Sequence, residues 1–225
     1  MHFWAGYYCL ESHTVSNKIA ISDNIAIVSD LGNKIPDKSW MLYLLELFNK
    51  NDIPVELNLI CSFNDDGKFH AIFGGVNKYE FKIKPEIGHS YLRQIVLNES
   101  KRKIEYHLKD ENSGQAESFM YDVNAFDFSI SKYFTGLEWH NRVGDVPYDI
   151  RYKVKVSNLA FGINDNAIDL ESVVYCPYDQ LLPNDEGLGK EYPISFENFE
   201  TRNGFISYEI NSGKHKTGIL NKFLS

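Results

Sequence analysis

The most chemically suggestive stretch of the chain is Thr135-Gly136-Leu137-Glu138-Trp139-His140-Asn141. In an extended strand, alternation puts Glu138 and His140 on one face and Leu137 and Trp139 on the other. A carboxylate that faces a cleft beside tryptophan is a candidate general base. The competing reading is a solvated strand face with Trp139 packed in the core. The sequence holds no phosphate-binding glycine loop, nucleophile elbow, paired-histidine zinc helix or calcium loop. Its seven histidines, His2, His13, His70, His89, His107, His140 and His215, form no close pair with ligand spacing. Neither a metal nor a cofactor is therefore expected. Cys9, Cys61 and Cys176 are odd in number and far apart, which is unlike a disulfide framework or a zinc site, and they read as buried thiols.

The elements that must position these residues are strands. Period-two alternation recurs along most of the chain, first at Ile19, Ile21, Ile25 and Ile27. Residues Val55 to Phe63 and Lys68 to Phe73 read as a hairpin turning at Asp65-Asp66-Gly67. A second hairpin joins Ile104 to Lys109 with Glu117 to Tyr121 through Glu111-Asn112-Ser113-Gly114, where glycine and asparagine suit positive φ angles. Further strands are predicted at Phe3 to Leu10, Tyr79 to Ile83, Tyr91 to Leu97, Phe126 to Ile130, Gly136 to His140, Ile150 to Val156, Val173 to Cys176 and Phe205 to Ile210. The run Trp40 to Phe48 fits either a helix, with Trp40, Leu44, Leu47 and Phe48 on one side, or a central strand buried on both faces; the strand is preferred. Pro177 to Pro193 is rich in proline and glycine and is expected to be a long loop. The spacing suggests an all-β, two-sheet antiparallel sandwich filling residues 1–225 as one domain.

Composition narrows the function classes. The 225 residues are 43% hydrophobic and 24% charged, with a formal net charge of −8. Basic residues are scattered, so nothing favours a nucleic-acid backbone or an anionic membrane. The longest nearly apolar run, Trp40 to Phe48, is interrupted by Glu46 and is far shorter than the roughly 20 residues a spanning helix needs. Met1-His2-Phe3-Trp4 leads directly into strand-like sequence without the marks of a secretory signal, so the expectation is a cytoplasmic protein, or a secreted one whose leader has been removed. Asn98-Glu99-Ser100 fits the glycosylation pattern and matters only for a secreted chain. Lys101-Arg102-Lys103 reads as an exposed tip between two strands.

Three stretches, taken in order, resemble the glutamic peptidases, or eqolisins. Trp4-Ala5-Gly6 is similar to that family's opening Trp-Ala-Gly. Phe81-Lys82-Ile83 through Ile87-Gly88 to Ile95, followed by Ile104-Glu105-Tyr106-His107-Leu108 and Asn112-Ser113-Gly114-Gln115, resembles its strand, glycine turn, strand and hairpin. Gly136-Leu137-Glu138-Trp139 falls where the family carries its catalytic glutamate. The resemblance spans Phe3 to Ser157 and implies a concanavalin-like jelly roll, with Glu138 in the catalytic position. That family also pairs its glutamate with a glutamine on a facing strand, whose amide stabilises the oxyanion. The corresponding strand is expected at Trp40 to Phe48, which has no glutamine; Gln94, Gln115 and Gln180 lie elsewhere. Loss of an oxyanion donor costs on the order of 10² to 10³ in rate, so the resemblance implies the fold with little or no peptidase activity.

Two readings from different classes follow. In the first, the protein is a non-catalytic or weakly catalytic sandwich that binds an extended glycan or peptide on its concave face, using Trp4, Trp40, Tyr43, Glu46, Trp139 and His140. In the second, it is an acid-acting hydrolase, of glutamic-peptidase type or another, with Glu138 as general base and then acid. His140, Glu46, Asn141 and Tyr43 are its candidate partners, and paired carboxylates would also suit glycoside cleavage. Burial of Glu138 against Arg142 or Arg151 would instead indicate a structural ion pair. A third class, an interaction module pairing through a sheet edge or face, stays open, as does the oligomeric state.

Overall fold

A computed structural model describes residues 2–9, 18–28, 39–62, 65–141, 153–164, 166–168, 174–179, 191–202 and 205–216, with side chains described for 18–28, 40–62, 67–138, 154–164 and 166. Fifteen strands and no helix occur among them: β1 (His2–Cys9), β2 (Lys18–Ile27), β3 (Ser39–Asn49), β4 (Pro54–Ser62), β5 (Asp65–Phe73), β6 (Asn77–Glu80), β7 (Ser90–Asn98), β8 (Lys103–Asp110), β9 (Ala116–Asp122), β10 (Ile130–Asn141), β11 (Lys153–Ile163), β12 (Asn166–Ile168), β13 (Val174–Asp179), β14 (Glu191–Arg202) and β15 (Phe205–Lys216). One sheet runs β13-β1-β10-β3-β4-β5-β6 and the other β14-β15-β11-β2-β7-β8-β9, with β12 paired to β11. Every pairing is antiparallel. The chain is therefore an all-β, two-sheet sandwich, as the alternation predicts.

Alternation builds the core. Ile19, Ile21, Ile25 and Ile27 of β2 and Tyr91, Ile95 and Leu97 of β7 point inward from the second sheet, meeting Met41, Tyr43, Leu45 and Leu47 of β3 and Val55, Leu57 and Leu59 of β4 from the first. The run that reads as helix or strand is strand β3. It lies between β10 and β4, and it is apolar on both faces because both are covered: its odd residues enter the core, while Leu42 and Leu44 join Phe134 in a second buried cluster on the outer face.

Several boundaries differ from the sequence reading. Phe126 to Ile130 is not a strand. Phe126 and Phe128 dock in the core from irregular backbone, and Asp127 accepts from Ser129 N at 2.8 Å, so a single long β10 begins only at Ile130. The first hairpin begins its pairing earlier than Asp65-Asp66-Gly67 would as a turn. Asp65 already pairs with Ser62, and Gly67 lies inside β5 at φ +100°, beside a bulge in β4 at Cys61. The expected loop from Pro177 to Pro193 is partly strand: Pro177 pairs with Ala5 in β13, and Pro193 interrupts the register of β14. Both strands end the order of their sheets, where a missing N–H disturbs no inner ladder; residues 180–190 lie outside the described set. At the Lys101-Arg102-Lys103 tip, Arg102 is docked rather than free in water, donating to Asn124 O at 2.6 Å and Phe126 O at 3.0 Å and lying 4.8 Å from the centre of the Phe128 ring. Cys61 is buried; the side chains of Cys9 and Cys176 lie outside the described set.

Candidate functional site on the outer face of the seven-stranded sheet

Residues of even number on β3, on β4 and on β10 beyond its irregularity at Ile130–Lys132 turn away from the core. Register places Glu138 opposite Leu42 and Phe134 opposite Glu46 across β10–β3, and Glu46 opposite Glu56 across β3–β4. On the far side of β4, Asn58 pairs with His70 of β5. One sheet face therefore carries three glutamates, an asparagine and a histidine around the apolar patch of Leu42, Leu44 and Phe134. Gly136 lies on this face between Glu138 and Phe134 and is buried.

These polar groups sit where water is scarce. Glu46 is 9% exposed, His70 6% and Asn58 0%, while Glu56 and Glu138 are half-buried. Asn58 is held at both ends: its Oδ1 accepts from Leu45 N at 3.3 Å and its Nδ2 donates to Glu56 Oε2 at 2.6 Å. Burial, followed by the like charges of Glu56 and Glu138, holds the Glu46 carboxyl well above the usual range, against the pull of Lys132. Burial pushes Glu56 up to about 7; the Asn58 hydrogen bond opposes this, Glu138 adds to it, and Lys78 opposes it. At mildly acid pH, Glu46 and Glu56 are therefore neutral acids on the face that also carries Glu138. Perturbed carboxyls gathered on one face are the arrangement that acid–base chemistry uses. Lys132 is itself held, 3.0 Å from Asp52 and 4.5 Å from the centre of the Phe48 ring. Among the described residues no group of His, Cys, Asp and Glu side chains is placed to hold a metal ion, and no helix is long and apolar enough to cross a membrane.

Of the residues singled out in the sequence, Glu138 and Glu46 fall on this face, and Trp40 packs half-buried against its apolar patch. Tyr43 does not. Alternation sends it into the core at 1% exposure, opposite Leu137, which removes it both as a ligand contact and as a partner for Glu138. By backbone register Trp4 pairs with Glu138, His140 with Trp40 and Trp139 with Met41; the side chains of Trp4, Trp139, His140 and Asn141 lie outside the described set, as do Arg142 and Arg151 altogether. Sequence reasoning missed Glu56, Asn58 and His70. The strand beside Glu138, β3, carries no glutamine, and the buried amide described on this face, Asn58, belongs to β4. Its signal was present in Glu56-Leu57-Asn58, where polar residues hold the outward positions of an otherwise apolar strand.

No protein-family model and no curated protein sequence matches the chain. Solved structures do match. Scytalido-glutamic peptidase, solved with a peptide-based transition-state analogue, is similar with a TM-score of 0.59 at 10% identity, covering 91% of this chain and 96% of that one. SCP-B, a member of the eqolisin family of peptidases solved with the tripeptide Ala-Ile-His, is similar with a TM-score of 0.54 at 10% identity and the same coverage. At this identity the likeness is one of fold, and the fold is the two-sheet, concanavalin-like sandwich of the glutamic peptidases.

Proposed function

We propose that the outer face of the seven-stranded sheet binds an extended peptide and that Glu138 hydrolyses it at acid pH. The observation that carries this reading is the convergence on one sheet face of Glu138, the raised carboxyls of Glu46 and Glu56, and the buried amide of Asn58. Burying an amide and a carboxyl with no functional return is costly, since each loses hydration that internal partners only partly replace. In the proposed reaction Glu138 takes a proton from water as it attacks the scissile carbonyl, and a neutral glutamic acid, Glu56, supplies a proton to the leaving amine. Asn58 has one Nδ2 hydrogen engaged by Glu56; the other is the donor offered to the developing oxyanion. The peptide ligands named for the two similar structures support a peptide over other polymers.

The test is a peptide-library digest read by mass spectrometry from about pH 2 to 7, a range chosen to cross the ordinary glutamate midpoint, with Glu138→Gln alongside. Acid cleavage that disappears in the variant supports the reading. No cleavage by either protein refutes hydrolysis. Binding of the same peptides without cleavage would then favour the other reading, a sandwich that holds a peptide or glycan and leaves it intact; what favours it is that the Asn58 amide is already tied to Leu45 and Glu56.

A further inference from the structure

Directly beneath the outer-face carboxyls, on the core side of the sheet, lies an ion pair that takes no part in the chemistry above. Asp23 of β2 and Arg93 of β7 are register partners in the eight-stranded sheet, both point inward, and both are 0% exposed. Arg93 donates to Asp23 through Nε at 2.9 Å and Nη2 at 2.6 Å, a two-pronged contact. The guanidinium then crosses to the other sheet, where it donates to Tyr43 O at 2.7 Å, Leu57 O at 3.0 Å and Leu44 O at 3.4 Å.

Those carbonyls lie at a lapse in the β3–β4 ladder. Pairing runs from Trp40↔Ser62 to Tyr43↔Leu59 and resumes at Glu46↔Glu56, with Leu44 and Leu45 between. The register places Leu45 opposite Leu57. Leu45 N points toward β4, so in an unbroken antiparallel ladder it would bond to Leu57 O. Arg93 takes that carbonyl, and Leu45 N takes the side-chain carbonyl of Asn58 instead. This exchange of partners fixes Asn58 with its Nδ2 on Glu56.

We propose that Arg93, held by Asp23, is the positioning residue of the outer-face site: by occupying Leu57 O from the core side it opens the β3–β4 ladder and frees Leu45 N to anchor the Asn58 amide against Glu56. The role in hydrolysis rests on the reading given above; the positioning itself does not. Arg93 reaches β3 and β4 only at the backbone carbonyls of Tyr43, Leu44 and Leu57 and acts through them. Among the described residues, the charged and titratable groups on the face it serves are Glu46 on β3, Glu56 on β4, Lys68 and His70 on β5, Lys78 and Glu80 on β6, and Lys132 and Glu138 on β10.

The test begins with the wild-type protein, by amide hydrogen exchange and by the scalar coupling through the hydrogen bond from Leu45 N to the Asn58 side-chain carbonyl. A Leu45 amide that exchanges as fast as open-loop amides overturns the proposal without any variant. Asp23→Leu/Arg93→Met then removes both charges together, because removing one would strand the other in the core. Arg93→Lys, which keeps Asp23 paired but lacks the planar fork, carries the same readout. The expected result in the folded variants is Leu45 exchange about tenfold faster, on the scale of one lost hydrogen bond, together with a rise in the Glu56 titration midpoint as the Asn58 bond that lowers it loosens. Leu45 exchange and a Glu56 midpoint both unchanged in a folded variant overturn the proposal. These readouts need no turnover, so an inactive wild type whose Leu45 amide still responds would refute hydrolysis and leave the positioning role standing.

Discussion

Glu46 of β3 stands directly opposite Glu56 of β4, on the sheet face that turns away from the core. Two carboxylates so placed cannot both ionise cheaply, and Glu138 adds a third like charge. The Glu56 midpoint in the folded protein, about 7, lies above its ordinary 4.5. Its contribution to stability is thus whole below pH 4.5 and is lost as the pH rises through about 7. Glu56→Gln is predicted to match wild type at pH 4 and to be more stable at pH 8 by about 2 kcal/mol, measured by urea denaturation at both pH values. Equal stability at both would show that the pair is not strained.

Asp110 predicts the opposite sign. Burial raises its midpoint, but hydrogen bonds from Ser113 Oγ, Asn112 N, His89 and Ser113 N outweigh burial and hold it at about 2, below the ordinary 3.8. Stability from this group is present above pH 3.8 and is lost as the pH falls through about 2. Asp110→Asn should cost about 2 kcal/mol at pH 6 and close to nothing at pH 2, with the β8–β9 turn the first to lose exchange protection.

Gly67 is predicted to accept no side chain. Its φ of +100° disfavours any L residue, and an added Cβ would lie 3.2 Å from both Cys61 Sγ and Pro85 Cγ. Gly67→Ala should lower the urea midpoint by an amount equal to about 2 kcal/mol at an unchanged m-value.

Edge strands β6 and β9, from opposite sheets, are joined by Tyr79. Its ring stacks on Phe119 at 3.9 Å and its hydroxyl donates to Glu117 Oε1 at 2.7 Å. Tyr79→Ala should cost about 2 kcal/mol and raise exchange in β6 and β9 ahead of the inner strands. A uniform rise across both sheets would contradict this.

Alternation made the strands legible, because inward and outward positions differ in hydrophobicity wherever one face meets the core. Alternation is weakest where both faces are covered: the preferred strand reading of β3 is correct, but a helix also fits because Leu42 and Leu44 are as apolar as Leu45 and Leu47. It failed at Phe126 to Ile130, where core aromatics sit on irregular backbone. Glu138 and Glu46 were legible as residues, but their companions were not, because a single strand does not reveal its neighbours. Only the β3–β4 register brings Glu56 to Glu46. Asp23 carried an unused sign, a charge among the inward positions Ile19, Ile21, Ile25 and Ile27; its meaning needed Arg93, seventy residues away.

Whether Glu138 activates water against a peptide bond on the outer sheet face is tested most directly by peptide cleavage in ¹⁸O-labelled water at acid pH, comparing wild type, Glu138→Gln and Asn58→Ala. Expected are one labelled oxygen at each new carboxyl terminus for wild type, no product for Glu138→Gln, and a rate reduced by on the order of 10² for Asn58→Ala. Cleavage by Glu138→Gln at the wild-type rate, or no cleavage by wild type across the acid range, would contradict that role for Glu138.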